Sequence, residues 1–432
     1  MTRRELIRTS DHTAFVADKL LGVGGQGEVW HARIDGVPVA VKLYHPHTAT
    51  KAQREALDRL LARPTPARYF LWPLALVEDR ARTTFGYTME LREPRFRALE
   101  DFMARRIEPS MQALLTACVQ LTDGFLRLHS QGLCYRDISF ANVFFDPTTG
   151  DVRICDLDNV DVAGAPHAGV LGTPRFMAPE VVRRELPPSD HTDRYSLAVL
   201  LFLFLYGGHP LDGAREAQIR CLDVPALEKL YGCNPLYIWD PADSSNRPVR
   251  GIHDNPLAFQ SIYPQSLVDL FLRSFTDGLH FPTKRVRESE WRRAFTRAID
   301  TIWLCSCGAE SFHDPADARP GTKACWSCRK VLVLPLLIEI DGRTVLLHRH
   351  TRLCAYHVGH TWDDDTPLGE VTPNPTNPTV FGLKNLSTEK WTLERADGSI
   401  VDVPPGRAAP LLAGNSINFG TARGEIRVKG RY

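Results

Sequence analysis

The sequence predicts an α+β fold spread over several domains, and three observations carry that expectation. A glycine-rich stretch, Gly22-Val23-Gly24-Gly25-Gln26-Gly27, sits between apolar segments suited to strands. Residues 110–130 repeat apolar side chains at helical spacing, and beyond four paired cysteines the chain breaks into short β-like runs. At 432 residues the chain is longer than one hydrophobic core usually supports. Its 52 Lys and Arg against 51 Asp and Glu leave a formal charge of +1, which gives no electrostatic reason to expect nucleic acid or an anionic membrane as partner.

Taken in order, Phe15 to Ala32 reads as a strand, a tight turn and a second strand. Glycines at Gly22, Gly24 and Gly27 let such a turn close over phosphates where a side chain would block approach. Val39-Ala40-Val41-Lys42 follows, with Lys42 fifteen residues after Gly27. Lys51 to Leu61 carries leucines at 57, 60 and 61 among good helix formers, and Leu71 to Leu76 and Phe85 to Leu91 read as further strands.

The next helix, with Leu114, Leu115, Cys118, Leu121, Phe125 and Leu128 on its apolar positions, leads into Tyr135-Arg136-Asp137-Ile138-Ser139-Phe140-Ala141-Asn142-Val143 and then Ile154-Cys155-Asp156-Leu157-Asp158. This pattern sets the oxygen-bearing side chains of Asp137, Asn142 and Asp156 on a loop and the turn of a short hairpin, where they can converge on one phosphate and its metal. Phosphoryl transfer needs that set, because it rests on a base that orients a hydroxyl and on Mg²⁺ held by carboxylate and amide oxygens.

These segments resemble the glycine-rich loop, lysine strand, catalytic loop and metal-binding turn of eukaryotic-type protein kinases. Leu171-Gly172-Thr173-Pro174, Met177-Ala178-Pro179-Glu180 and Asp193-Arg194-Tyr195-Ser196-Leu197 extend the resemblance, which covers roughly residues 12 to 300. It implies a bilobal kinase fold, with an N-lobe over residues 1–92 and a C-lobe over 93–302. It further implies Asp137 as catalytic base and Lys42 as the grip on the ATP phosphates, with Glu55 as the partner of Lys42. Val29 and Ala40 would sandwich the adenine, Glu90 and Leu91 would form the hinge, and Asn142 and Asp156 would hold Mg²⁺. Asp193 would buttress the catalytic loop, and Glu180 would pair with Arg285. Four departures stand out: Tyr135 replaces the usual His, Ser139 the usual Lys, and Leu157 and Asp158 the Phe and Gly of D-F-G, while residues 213–280 are longer than a minimal kinase needs. Arg136 would find its counter-charge in Asp158 or Asp161, since 157–172 holds no Ser, Thr or Tyr to phosphorylate.

Cys305-Ser306-Cys307 and Cys325-Trp326-Ser327-Cys328 stand seventeen residues apart, the spacing of two knuckles closing a tetrahedral S₄ site for structural Zn²⁺, with His313 as a substitute ligand. A zinc ribbon is therefore expected over 303–332, its turns served by Gly308 and Pro320-Gly321. The runs Val331 to Leu334, Thr344 to Leu347, Trp391 to Leu393, Ser416 to Phe419 and Ile426 to Val428 predict a small β-sandwich over 333–432. Leu383 to Ser387 and Pro410 to Gly420 resemble the second half of forkhead-associated domains. His348-Arg349-His350 lacks the Gly-Arg turn of a phosphothreonine cradle, and Asp363-Asp364-Asp365 would repel a phosphate. The layout is similar to bacterial kinases encoded beside a von Willebrand A-type protein and a PP2C-type phosphatase in tellurite or phage resistance, which implies those protein partners.

No signal segment follows Met1-Thr2-Arg3-Arg4, and the longest apolar run, Leu197 to Tyr206, is ten residues, so a cytoplasmic chain without membrane contact is expected. Two functions follow from this reading. One is an active ATP- and Mg²⁺-dependent serine/threonine kinase acting on a protein substrate; the other is a pseudokinase scaffold that binds nucleotide and docks partners through its tail.

Overall fold

A computed structural model of the protein describes residues 3–81, 83–162, 172–313, 323–359 and 366–428. At the N-terminal end six antiparallel strands, β1 (Arg4–Arg8), β2 (Ala14–Val23), β3 (Gly27–Ile34), β4 (Val37–Tyr44), β5 (Ala75–Asp79) and β6 (Phe85–Glu90), close into a barrel of order β1-β2-β3-β4-β6-β5. Side chains alternate across a strand, and β4 uses both of its faces. Val39, Val41 and Leu43 fill the barrel with Leu6, Trp30 and Val77, while Ala40 and Tyr44 turn to a second core with Leu57, Tyr87 and Met89. The same alternation puts Lys42 on the Ala40 and Tyr44 face.

Helix α1 (Lys51–Leu61) starts where Thr50 accepts a hydrogen bond from the Gln53 N–H. It buries Leu57 and Leu60, and Gln53, four residues before Leu57, shares their face. Glu55, two residues from Leu57, points the other way. The strand expected at Leu71 to Leu76 begins only at Ala75, because Leu71 donates its N–H to the Ile154 carbonyl at 2.8 Å and Pro73 has no N–H to give a ladder.

The helical part is built on Met111–Ser130, capped by Ser110, and Asp190–Tyr206, opened by a Ser189–Thr192 capping box and ended by Gly207 at φ 60°. Every side chain of Asp190–Tyr206 from Tyr195 onward is buried, so its ten-residue apolar run is core. Among the described residues no helix is long and apolar enough to cross a membrane. The 213–280 segment folds as short helices around Asn246, whose amide donates to the carbonyls of Leu211 at 2.9 Å and Leu236 at 2.7 Å.

The chain divides into two compact units, Met1–Gln260 with Ser266–Phe295, and Ser261–Gln265 with Thr296–Tyr432. In the second, the hairpin Ile302–Leu304 and Glu310–Phe312 and the bridge Ala324–Val331 precede two antiparallel sheets. One has six strands in the order Arg343–Leu346, Leu337–Ile340, Arg423–Arg427, Ser416–Asn418, Trp391–Glu394, Ile400–Val403; the other orders Arg352–Cys354, Pro367–Pro373, Phe381–Asn385, Ala408–Pro410. Ile338, Trp391, Ile417 and Ile426 of the first share one apolar core with Leu353, Val371, Leu383 and Ala409 of the second. Val331 to Leu334 is not the expected strand: past the bridge its groups go elsewhere, the Val333 carbonyl accepting from the Trp303 indole at 2.8 Å. Trp303, Cys305 and Cys325 pack with Leu337 and Leu346, so the cysteine hairpins share a small apolar cluster with the larger sheet. Asp300 is held in this unit by the Tyr356 hydroxyl at 2.7 and 2.8 Å and by His357 at 3.0 Å. Pro320-Gly321 and Asp363 to Asp365 lie outside the described residues.

Candidate active site

The catalytic loop is held from below by one carboxylate. Asp193 accepts hydrogen bonds from the N–H groups of Tyr135 at 2.6 Å and Arg136 at 2.9 Å, and from His129 at 3.1 Å. His129 bonds Glu288 at 2.7 Å through its other nitrogen. This clamp supports a left-handed backbone at Arg136, φ 70°, a conformation that persists only where neighbours over-determine it. Glu180 and Arg285 pair as the resemblance implied, and Tyr135 packs at the buried His position while its hydroxyl donates to the Cys155 carbonyl, tying the loop to the turn that carries Asp156.

Asp137 Oδ1 accepts a 2.6 Å hydrogen bond from the Thr173 hydroxyl. Burial raises the Asp137 carboxyl above the ordinary range and the Asp156 charge adds to this, while the Thr173 bond pulls against them. The Asn142 amide nitrogen donates to the Asp137 carbonyl at 3.0 Å, so the amide oxygen takes no part in that bond. Asp156, at φ 57°, follows the hairpin Val143–Phe145 and Val152–Ile154 that aims the turn.

Lys42 Nζ bonds Asp156 Oδ1 at 2.8 Å and also bonds Asp158 Oδ2. Burial works to lower the lysine, but the charges of Asp158 and Asp156 outweigh it and hold the ammonium well above its usual value. Asp158 is pushed up to about 6 by burial, with Lys42 opposing and Asp156 adding. The expected Lys42–Glu55 pair is therefore corrected: Glu55 is exposed and its ion-pair partner is Lys51 at 3.8 Å, because helix phase points it away from the cleft. The sequence reading missed Asp158 in this role, although an acidic residue two positions after Asp156 was the visible signal. It also missed Tyr44, Gln53, His129 and Thr173.

Around the nucleotide positions, Ala40 is buried, and Val29, Leu91 and Cys155 pack at the edge of the same cluster; Glu90 ends β6 exposed to solvent. A side chain at Gly27 would strike the Leu43 carbonyl at 2.2 Å, so this glycine is demanded by the neighbouring strand. Gly22 and Gly24 have open space, the latter closing the turn through its N–H to the Gly27 carbonyl at 2.8 Å. Arg136 lies 3.9 Å from Asp161, one of its two expected counter-charges; Asp158, the other, is committed to Lys42. Residues 163–171 lie outside the described residues.

In the second unit the sulfur atoms of Cys305, Cys307, Cys325 and Cys328 all lie within 4.8 Å of one another. Cys305 to Cys328 is 3.5 Å and Cys307 to Cys325 is 3.8 Å, against an edge of about 3.8 Å for a tetrahedron of sulfurs about 2.3 Å from zinc. Turns at Gly308 (φ 91°) and Arg329 (φ 62°) shape the two knuckles. The donor set fits a closed structural Zn²⁺ site. His313, the expected substitute, is buried against Trp303 with ring centres 5.7 Å apart and is not one of the four.

Residues 15–259 match the protein kinase domain, more than half of the chain. The serine/threonine-protein kinase PkaB of Streptomyces coelicolor is 26% identical over 230 residues, covering 48% of this chain and 51% of that protein. The protein kinase gsk3 of Schizosaccharomyces pombe is 21% identical over 236 residues, 52% of this chain and 61% of its own. CBL-interacting protein kinase 29 of Oryza sativa subsp. japonica is 27% identical over 318 residues, 67% of this chain and 69% of its own. The chain thus spans between half and two thirds of the length of the first two relatives. On that match the chain belongs to the protein kinase domain family.

Proposed function

We propose that this chain is an ATP- and Mg²⁺-dependent protein kinase that transfers the γ-phosphate to a serine or threonine hydroxyl of a protein substrate. The observation that carries the reading is the convergence of Lys42, Asp137, Asn142 and Asp156 in one cleft, with the Asp137 carboxylate already accepting an aliphatic hydroxyl, that of Thr173. Bound Mg²⁺ would neutralise charge on the phosphates. Asn142 and Asp156 supply its oxygens, Lys42 holds the phosphates, Asp137 orients the acceptor hydroxyl, and Gly22 and Gly24 leave room above the phosphates. Val29 and Ala40 enclose the adenine beside Glu90 and Leu91.

The cysteine knuckles are proposed to hold one structural Zn²⁺, and the two sheets beyond them to act as a forkhead-associated-like docking domain. The resemblance to kinases encoded with a von Willebrand A-type protein and a PP2C-type phosphatase makes those the candidate partners, in a cytoplasmic resistance system. A second reading, a nucleotide-binding scaffold without transfer, is favoured by one feature: Ser139, where serine/threonine kinases carry a lysine, is buried and brings no positive charge. Incubation of the full chain with labelled ATP, Mg²⁺ and mixed generic proteins separates the two. Label on any protein supports the kinase, and label on none supports the scaffold.

A further inference from the structure

The geometry points to Asp158 as the positioning residue that aims the phosphate-gripping Lys42, a task helix α1 does not perform in this chain; the inference rests on the kinase reading above. Three observations carry it. Lys42, Tyr44 and Tyr87 present one polar face: Lys42 and Tyr44 alternate on β4, and Tyr87 of β6 is the register partner of Lys42. Asp158 fits that face at every point. Its Oδ2 meets Lys42, and its Oδ1 accepts from the Tyr44 hydroxyl at 2.8 Å and the Tyr87 hydroxyl at 3.3 Å. Helix α1 supplies only a neutral amide, Gln53, to the Tyr44 hydroxyl at 3.1 Å and the Asp158 carbonyl at 3.3 Å.

A buried carboxylate with one ammonium and two hydroxyl donors is a fixed point, because removing any of these donors leaves charge poorly compensated in a dry site. Lys42 is buried too, so its direction is set by what it pairs with. Asp156 and Asp158 are separated only by buried Leu157, and one turn therefore carries both a proposed metal ligand and the lysine's anchor. The lysine and the metal site are aligned by the same backbone, and a carboxylate swung in on the helix is not required. Glu55, exposed on the far side of α1, is free to change.

The test compares the full chain with Glu55→Gln, Asp158→Asn and Tyr44→Phe, measuring kcat/KM for labelled phosphate transfer, the Kd for Mg²⁺ and a fluorescent N-methylanthraniloyl ATP, and the melting temperature. Glu55→Gln should stay within about twofold of wild type, whereas Asp158→Asn should lose about tenfold or more in kcat/KM and weaken nucleotide binding. Tyr44→Phe, which removes one donor from Asp158 and keeps the charge pair, should lose about threefold with little change in melting temperature, and it decides the matter if Asp158→Asn does not fold. An equal or larger loss in Glu55→Gln would overturn the inference. So would an Asp158→Asn or Tyr44→Phe protein that binds nucleotide as tightly or turns over as fast as wild type, since Asp158 would then merely compete for the lysine. A wild type that binds nucleotide without transferring phosphate would refute the kinase reading alone, and the binding comparison would still decide the role of Asp158. A wild type that binds no nucleotide would overturn both.

Discussion

Glu180 and Arg285 lie 105 positions apart and meet in a two-pronged ion pair, Nη1 to Oε1 at 2.7 Å and Nη2 to Oε2 at 2.8 Å, both side chains buried. The arginine also donates to the carbonyls of Gly278 at 3.0 Å and His191 at 3.0 Å, so one guanidinium ties together three helical segments, Pro179–Val182, Asp190–Tyr206 and Asp277–His280.

Breaking such a pair from one side leaves a bare charge in a dry site, which costs about 3–5 kcal/mol. Arg285→Ala should lower unfolding stability by that amount in denaturant titration. The double variant Glu180→Gln with Arg285→Met, which removes both charges, should cost less than the single one. A loss below about 1 kcal/mol in Arg285→Ala would contradict the burial argument.

His129 gives the fold a pH dependence. Burial alone would lower its pKa, but Asp193 and Glu288 outweigh this and raise it to about 9, above the ordinary value near 6.5. The imidazolium therefore contributes its stabilisation in full below about pH 6.5 and loses it as pH rises through 9, an effect of at most about 3 kcal/mol. The unfolding midpoint of the wild type should fall between pH 6.5 and 9.5, and His129→Gln should remove most of that slope. Parallel pH curves for the two proteins would show that the clamp works without a charged histidine.

Local chemistry marked out the candidate site. Asp137, Asn142 and Asp156 sit within twenty residues, and residue type and spacing suggested their proposed roles; the Asp193 buttress and Glu180–Arg285 pair followed once the family resemblance was in hand. What failed was the partner of Lys42. Sequence order offers Glu55, but the face a helix buries is decided by Leu57 and Leu60, and that phase sends Glu55 to solvent. The strand at Leu71 was misplaced for a related reason: its apolar run pairs with Ile154, more than eighty residues away, and only Ala75 onward joins the barrel. In the tail the runs at Thr344, Trp391, Ser416 and Ile426 overlap strands of the larger sheet, but the loss of the expected strand at Val331, the strands of the smaller sheet and the packing of the cysteine hairpins against the larger one depend on long-range contacts that no local pattern encodes.

The four clustered thiols carry a metal prediction. Purified protein should contain about one zinc per chain, and Cys305→Ser with Cys307→Ser should lose it together with the stability of the second unit, read as a lower-temperature melting step. Because Cys305 and Cys325 also pack with Trp303, Leu337 and Leu346, chelation should expose apolar surface as well as free the ion. A metal-free preparation with an unchanged melting profile would contradict a structural zinc site.

The central claim is that Asp137 serves as the base of a phosphoryl transfer from ATP. The most direct measurement is the rate of label transfer from γ-labelled ATP to a generic protein substrate by the full chain and by Asp137→Asn, with nucleotide affinity measured in parallel. Asp137 is buried in part and contacts Thr173 through one oxygen, so the isosteric amide keeps the packing and removes the proposed proton acceptor. The account predicts a loss of about 10²-fold or more in kcat with nucleotide binding unchanged; transfer by Asp137→Asn at the wild-type rate would contradict it.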